Sequence, residues 1–336
     1  MTEARAAVSD VSASICKVTD LTVAYHSGDE WLQAVRSVSF DVRRGEILAV
    51  VGETGSGKST MATAVIRMLP ANGRVVAGHV AFDGRELLAL SAREMRRLRG
   101  QEIAYVPQQP MSAFNPTMQI GRQVAEPLVI HRGMSERKAA PQVAKRLKEM
   151  GIHEVERVMR SYPHQLSGGM LQRAMIATAM ICQPRLLILD EPTSALDVTI
   201  QRQILNLIKQ VQADYQLAVI LISHDLTVVS QVADRILVMY GGRGVEVGST
   251  GELMQQARHP YTRGLLRSTM SSGLEHKAKL ASLAGYPPNP YDVDREPGCP
   301  FRPRCGRAVS DCGERFPAAS FEDGHGWACY NPEPPR

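Results

Sequence analysis

The sequence predicts an α/β fold in which helices sandwich a sheet, followed by a small loop-rich module at the C-terminus. Two features of the pattern predict it. From Ile15 onward, short β-branched runs alternate with helical stretches, the rhythm of a layered α/β core. Beyond about Gly248 that rhythm stops, and prolines and glycines dominate between Tyr286 and Pro300, as in loop-rich segments. Residues 1–14 mix Glu3, Arg5 and Asp10 among small residues. Without the apolar stretch of a secretory signal, they read as a flexible tail on a protein that stays in the cytoplasm.

The candidate strands are Val18 to Tyr25, Val35 to Val42, Glu46 to Val51, Ile103 to Val106, Leu186 to Leu189, Ala218 to Ile222 and Arg235 to Tyr240. Between about Phe114 and Tyr162 the strand rhythm is interrupted. Val143, Leu147 and Met150 recur there at helical spacing, which predicts a helical insertion. Pro141 falls inside that stretch and is expected to start or kink the helix. No internal repeat is visible, so one copy of this core is expected rather than two.

Composition narrows the function classes. The longest uninterrupted apolar runs, such as Leu217 to Ile222, are strand-sized and far short of the roughly 18 residues that cross a bilayer. Any link to a membrane must therefore run through partners. The excess of 39 basic over 34 acidic residues, +5 in 336, is too mild and dispersed for a nucleic-acid binder. Arg93, Arg96, Arg97 and Arg99 form the one local cluster and read as a solvated helix face. Four of the six cysteines crowd the last forty or so residues, in a module that begins near Gln256 and is too poor in aliphatic residues to hold itself by burial. A cross-link or metal centre is the expected staple. Cys16 and Cys182 read as small buried residues.

Gly52, Glu53, Thr54, Gly55, Ser56, Gly57, Lys58 and Ser59 match GxxxxGK[ST], between an apolar strand and a helical run from Lys58 to Leu69. The glycines let the backbone wrap phosphate, the helix N-terminus adds positive potential, Lys58 supplies a full charge and Ser59 a hydroxyl for Mg²⁺. Downstream, the apolar run Leu186 to Leu189 ends in Asp190 and Glu191. Ligands of open α/β sheets sit at the carboxyl ends of strands, which puts Asp190 beside the metal and leaves Glu191 to orient or deprotonate water.

Leu166-Ser167-Gly168-Gly169-Met170-Leu171-Gln172-Arg173 resembles the LSGGQ signature of ATP-binding cassette (ABC) ATPases. Physically it is a second anion site, with Ser167 capping a helix whose positive end faces outward past Gly168 and Gly169. The resemblance implies a P-loop cassette over residues 15–255, with a RecA-like core, an antiparallel β edge and a helical subdomain at about 114–172. It also implies roles. Tyr25 resembles the aromatic that stacks on adenine. Thr60 follows the phosphate-binding loop. Gln108 resembles the Q-loop residue that contacts Mg²⁺ and water. Ser194 to Asp197 resembles the D-loop, with Asp197 reaching toward the partner. His224 resembles the switch histidine at the γ-phosphate. Catalysis is expected from Glu191, His224, Gln108 and Lys58, with Ser167 to Gly169 of one subunit completing the ATP site of another.

His259-Pro260-Tyr261-Thr262-Arg263-Gly264-Leu265-Leu266 resembles the segment that follows the cassette in oligopeptide and dipeptide importer ATPases, which extends the likeness over residues 256–336. That resemblance implies a [4Fe-4S] cluster on Cys299, Cys305, Cys312 and Cys329, whose negative charge Arg302, Arg304 and Arg307 would offset. Four thiols also suit zinc, or stay free. The expected function is the ATPase subunit of an importer of di- or oligopeptides or related small solutes, at the cytoplasmic face of the membrane. It would act with a second, related ATPase subunit, two permeases and an extracytoplasmic solute-binding protein. Nickel or another small solute is the alternative cargo. A soluble ABC ATPase acting on nucleic acid or ribosomes is the alternative class, although those generally fuse two cassettes or insert a coiled coil.

Overall fold

A computed structural model of the chain describes residues 14–270, 285–289, 293 and 297–335; the expected tail thus lies almost wholly outside the described residues. The strands are β1 (Ser14–Ser27), β2 (Glu30–Arg43), β3 (Ile47–Val51), β4 (Gly73–Phe82), β5 (Arg85–Glu86), β6 (Ile103–Val106), β7 (Leu186–Asp190), β8 (Ala218–Ser223), β9 (Arg235–Tyr240), β10 (Arg243–Ser249), β11 (Ser320–Glu322) and β12 (His325–Trp327). The helices are α1 (Lys58–Val65), α2 (Ala92–Leu98), α3 (Pro110–Ala113), α4 (Ile120–Arg132), α5 (Glu136–Glu149), α6 (Val155–Arg160), α7 (Gly168–Met180), α8 (Val198–Tyr215), α9 (Leu226–Val229), α10 (Thr250–Gln256) and α11 (Pro260–Met270).

They form an eight-stranded sheet of order β11-β12-β10-β9-β3-β8-β7-β6 and a four-stranded antiparallel sheet of order β2-β1-β4-β5. Strands β9, β3, β8, β7 and β6 run parallel. Every residue of β3, β7 and β8 is buried, which is why these stretches read as unbroken apolar runs rather than alternating ones. The two faces still separate by period two. Leu48 and Val50 pack with Met61, Val65 and the antiparallel sheet. Ile47, Ala49 and Val51 face the helical side, with Ile176, Ile204 and Ile208.

The seven expected strands are present, and the helices between residues 110 and 180 fill the predicted insertion. Pro141 does not start the helix, for α5 begins at Glu136 and runs through it. Pro141 and Arg137 are both exposed, so the carbonyl that loses its helical donor meets water, which limits the cost. The run from Lys58 is also shorter than read, since α1 stops at Val65 and Arg67 takes a positive φ of 52°. On α2, Arg93, Arg96 and Arg97 are exposed as expected, behind a Ser91–Glu94 capping box, whereas Arg99 is half-buried and donates to the Arg67 carbonyl at 3.4 Å.

The segment after residue 256 is less separate than its composition suggests. β12 pairs with β10 and so extends the main sheet, and Tyr261, Leu265 and Phe301 join the same buried cluster as Val51 and Leu189. A segment with too little apolar area for its own core borrows one.

Candidate nucleotide site

The loop from Gly52 to Ser59 leaves the buried end of β3 and enters α1 through Gly57, whose φ of 96° places it in the left-handed region. A Cβ there would lie 2.4 Å from the Ala34 carbonyl oxygen, and one at Gly52 would lie 2.2 Å from that of Met239. Only glycine fits either place. No side chain caps α1, so its first N–H groups remain available to an anion. Thr54 and Gly55 form the exposed crest. The Lys58 ammonium, 5% exposed, donates to the carbonyls of Gly52 at 2.8 Å and Glu53 at 3.0 Å. Burial lowers its proton affinity, against the pull of Glu191, Asp190 and Glu53.

Across from it, β7 delivers Asp190 and Glu191. Ser59 Oγ donates to Asp190 Oδ1 at 2.9 Å and Tyr105 Oη to Oδ2 at 2.9 Å. Burial raises the Asp190 pKa despite those two hydrogen bonds, and burial together with the Asp190 charge pushes the Tyr105 phenol above its ordinary range. Glu191 sits at φ 46°, an uncommon conformation for a residue with a side chain. Gln108 Nε2 donates to Glu191 Oε2 at 3.0 Å, and His224 Nδ1 lies 3.2 Å from the same oxygen. Six of the predicted residues, Lys58, Ser59, Gln108, Asp190, Glu191 and His224, thus converge at the ends of β3, β6, β7 and β8, and Tyr105, one strand residue among many apolar ones, joins them unannounced.

Other predicted residues sit apart. Tyr25 Oη donates to Thr60 Oγ1 at 3.3 Å, so these two share the α1 side of the loop. Ser167 caps α7, accepting the Met170 N–H at 3.3 Å. Among the described residues, no hydrogen bond joins Ser167, Gly168 or Gly169 to the phosphate-binding loop; Gly168 borders a cavity of about 300 Å³ shared with Gln108, Gln172 and Glu191. The Asp197 carboxylate is engaged locally, capping α8 through the N–H groups of Thr199 and Ile200, both at 3.0 Å.

The ABC transporter family profile matches residues 35–194, and the profile for the oligopeptide/dipeptide transporter C-terminal region matches 245–312. The oligopeptide transport ATP-binding protein OppD of Salmonella typhimurium is 42% identical over 318 residues, spanning 95% of this chain and 94% of that protein. The chain belongs to the oligopeptide/dipeptide family of ABC transporter ATP-binding proteins. The dipeptide transport ATP-binding protein DppD of Bacillus subtilis is 43% identical, with 94% of each chain covered. Among solved structures, a post-hydrolysis dimer of the cassette MJ0796 bound to ADP and Pi superposes with a TM-score of 0.63 at 28% identity, over 70% of this chain and 98% of that one. Among the described residues, no helix of this cassette is long and apolar enough to cross a membrane.

The cysteine expectation finds no support in the geometry. Among the described residues, no three His, Cys, Asp or Glu side chains are grouped so that they could hold a metal ion, so neither the zinc nor the cluster expectation meets a formed ligand set. Burial pushes the Cys299 and Cys329 thiols up to about 11 and raises Cys305 as well, so any metal would have to displace their protons on binding. The arginines differ from expectation too. Arg304 pairs with Glu53 of the phosphate-binding loop, and Arg307 binds the backbone and side chain of Asn331.

Proposed function

We propose that this chain hydrolyses Mg-ATP and so drives uptake of di- or oligopeptides, or related small solutes, through partner permeases. The observation that carries this reading is the convergence of Lys58, Ser59 and Asp190 with Glu191, Gln108 and His224 around one end of the parallel sheet. Hard oxygen donors at Ser59 and Asp190 suit Mg²⁺, which when bound would neutralise charge on the phosphates. Lys58 and the uncapped α1 terminus bind the phosphates. Glu191 accepts the proton of the attacking water, Gln108 orients that water, and His224 steadies the Glu191 carboxylate and contacts the terminal phosphate. Ser167 and Gly168, both exposed, and Gly169 beside them, uncommitted to their own loop, serve the ATP of a second cassette.

The names of the OppD and DppD relatives support peptide import. On that reading the subunit sits at the cytoplasmic face of the membrane with a related ATPase, two permeases and an extracytoplasmic solute-binding protein. Purification from membranes followed by uptake into proteoliposomes tests it. ATP-dependent accumulation of peptide is expected. Accumulation of nickel instead would move the cargo, and recovery of ribosomes or nucleic acid without permeases would overturn the importer reading.

For the four cysteines we propose a [4Fe-4S] cluster whose assembly deprotonates the thiols and draws them in. Its support is electrostatic neighbourhood, since Cys329 feels Cys299, Cys305 and Cys312, and backbone N–H groups of Phe301, Arg307 and Asn331 reach the sulfurs of Cys299, Cys305 and Cys329. Such N–H···S contacts stabilise cluster sulfurs. Protein purified without oxygen should carry iron and sulfide; zinc in their place, or no metal, would refute it.

A further inference from the structure

Two residues beyond the cassette converge on one residue of the phosphate-binding loop. Tyr261, on the first turn of α11 and fully buried, accepts the Glu53 N–H on its hydroxyl at 2.9 Å. Arg304, whose side chain is 6% exposed, makes a fork on the Glu53 carboxylate, with Nη1 to Oε2 at 2.7 Å and Nη2 to Oε1 at 3.1 Å. Arg304 Nη1 also donates to Tyr240 Oη at 3.1 Å. Beneath these groups Tyr240, Tyr261 and Phe301 form one aromatic block, with ring centroids 4.5 to 5.4 Å apart. Forked pairs of this kind fix geometry as well as charge.

Glu53 in turn acts inside the loop. Its carbonyl accepts Lys58 Nζ at 3.0 Å and the Ser56 N–H at 3.1 Å. Every polar group of Glu53 is therefore engaged: the outward ones by the C-terminal segment, the inward one by the loop and its lysine. A carboxylate at this position would repel a polyphosphate if left unpaired, because charges a few ångströms apart in a partly buried site are weakly screened.

We propose that Arg304 and Tyr261 are positioning residues for nucleotide binding, holding Glu53 so that the loop backbone is fixed and the Glu53 charge is neutralised before ATP arrives. The affinity of the cassette for ATP then depends on a residue that lies between Cys299 and Cys305. This inference rests on the reading of residues 52–59 as the phosphate site.

The test uses the full chain carrying Arg304→Gln, Arg304→Lys, Glu53→Gln, Tyr261→Phe and the Arg304→Gln/Glu53→Gln pair, with Mg-ATP binding titrated directly and turnover measured in the purified assembly. Arg304→Gln should weaken Mg-ATP binding about tenfold, the scale of one charged hydrogen-bond pair left unmade, with the loss of turnover falling on KM rather than kcat. Arg304→Lys should recover part of the affinity. The double variant should bind better than Arg304→Gln alone, because it also removes the unneutralised carboxylate. Tyr261→Phe should weaken binding by roughly threefold, the share of one neutral hydrogen bond. Wild-type affinity in Arg304→Gln, or a double variant that binds worse than Arg304→Gln, would overturn the proposal. So would losses that track a lowered melting temperature across the series. Lys58→Ala separates the two readings: if it binds Mg-ATP normally the phosphate-site assignment fails, whereas if it binds none and Arg304→Gln binds normally only the present inference fails.

Discussion

Ser59 Oγ donates to Asp190 Oδ1 at 2.9 Å across 131 residues of sequence, tying the first turn of α1 to the carboxyl end of β7. With Tyr105 on the other oxygen, the Asp190 carboxylate is held in place at the end of the sheet, and burial raises its pKa. On the proposed Mg²⁺ reading, the buried Asp190 carboxylate carries a cost that the cation would offset.

That cost gives a first prediction. A carboxyl whose pKa is raised on folding contributes stability below its unfolded value, near 3.9, and loses it as pH rises through the folded value. At neutral pH the ionised Asp190 therefore burdens the protein. Asp190→Asn should raise the melting temperature without nucleotide by about 2 °C at pH 7, while Mg²⁺-dependent phosphate release falls at least a hundredfold, on the order of what an essential metal ligand supplies. Differential scanning calorimetry and a phosphate assay check the two halves.

A second prediction concerns His259. Burial pushes it down to about 4, against the opposing pull of Glu246, and its Nδ1 accepts the Tyr261 N–H at 3.1 Å. An unfolded histidine titrates near 6.5, so stability from this group is complete above that value and is lost as pH falls toward 4. Between pH 7 and pH 5 the loss should be about 2 kcal/mol. Urea denaturation at the two pH values should show it, and His259→Asn, which can still cap the following turn, should flatten the difference.

Ser167 separates a local role from one played across a subunit boundary. Its side chain caps α7 only through a 3.3 Å contact to Met170, and the residue is exposed. Ser167→Arg should therefore shift the melting temperature of the isolated chain by no more than about 3 °C, the scale of a lost cap in a chain of this size. Turnover of the complete assembly should drop severalfold or more. A large loss of stability with unchanged turnover would make the signature a mere helix start.

What could be read before the structure follows from where the signals lie. Ile103 to Val106 and Arg235 to Tyr240 coincide with β6 and β9 residue for residue, because strands buried on both faces leave continuous apolar runs. β10 escaped notice because Gly244 and Gly248 interrupt it, a register shift falls between Gly244 and Glu246, and Glu246 is a buried carboxylate satisfied by the N–H groups of Arg258 and His259 and by His325. β11 and β12 are three residues each and take their stability from pairing. In the site, Lys58 and Ser59 announced themselves through motif spacing, Asp190 and Glu191 through the apolar strand they end, and His224 through the family resemblance alone. Arg304 could not, because its partner Glu53 lies 251 residues away and nothing local distinguishes an arginine that pairs across the fold from one that faces solvent.

Glu191 is the residue on which the hydrolytic reading turns. It is held by Gln108 at 3.0 Å and His224 at 3.2 Å, with a side chain 13% exposed. The most direct measurement is phosphate release by the purified assembly carrying Glu191→Gln, with bound ATP and the association of the two cassettes followed in the same sample. Loss of the base should lower turnover at least a hundredfold while ATP stays bound and the cassettes stay closed. Release at the wild-type rate, or failure to retain ATP, would contradict the account.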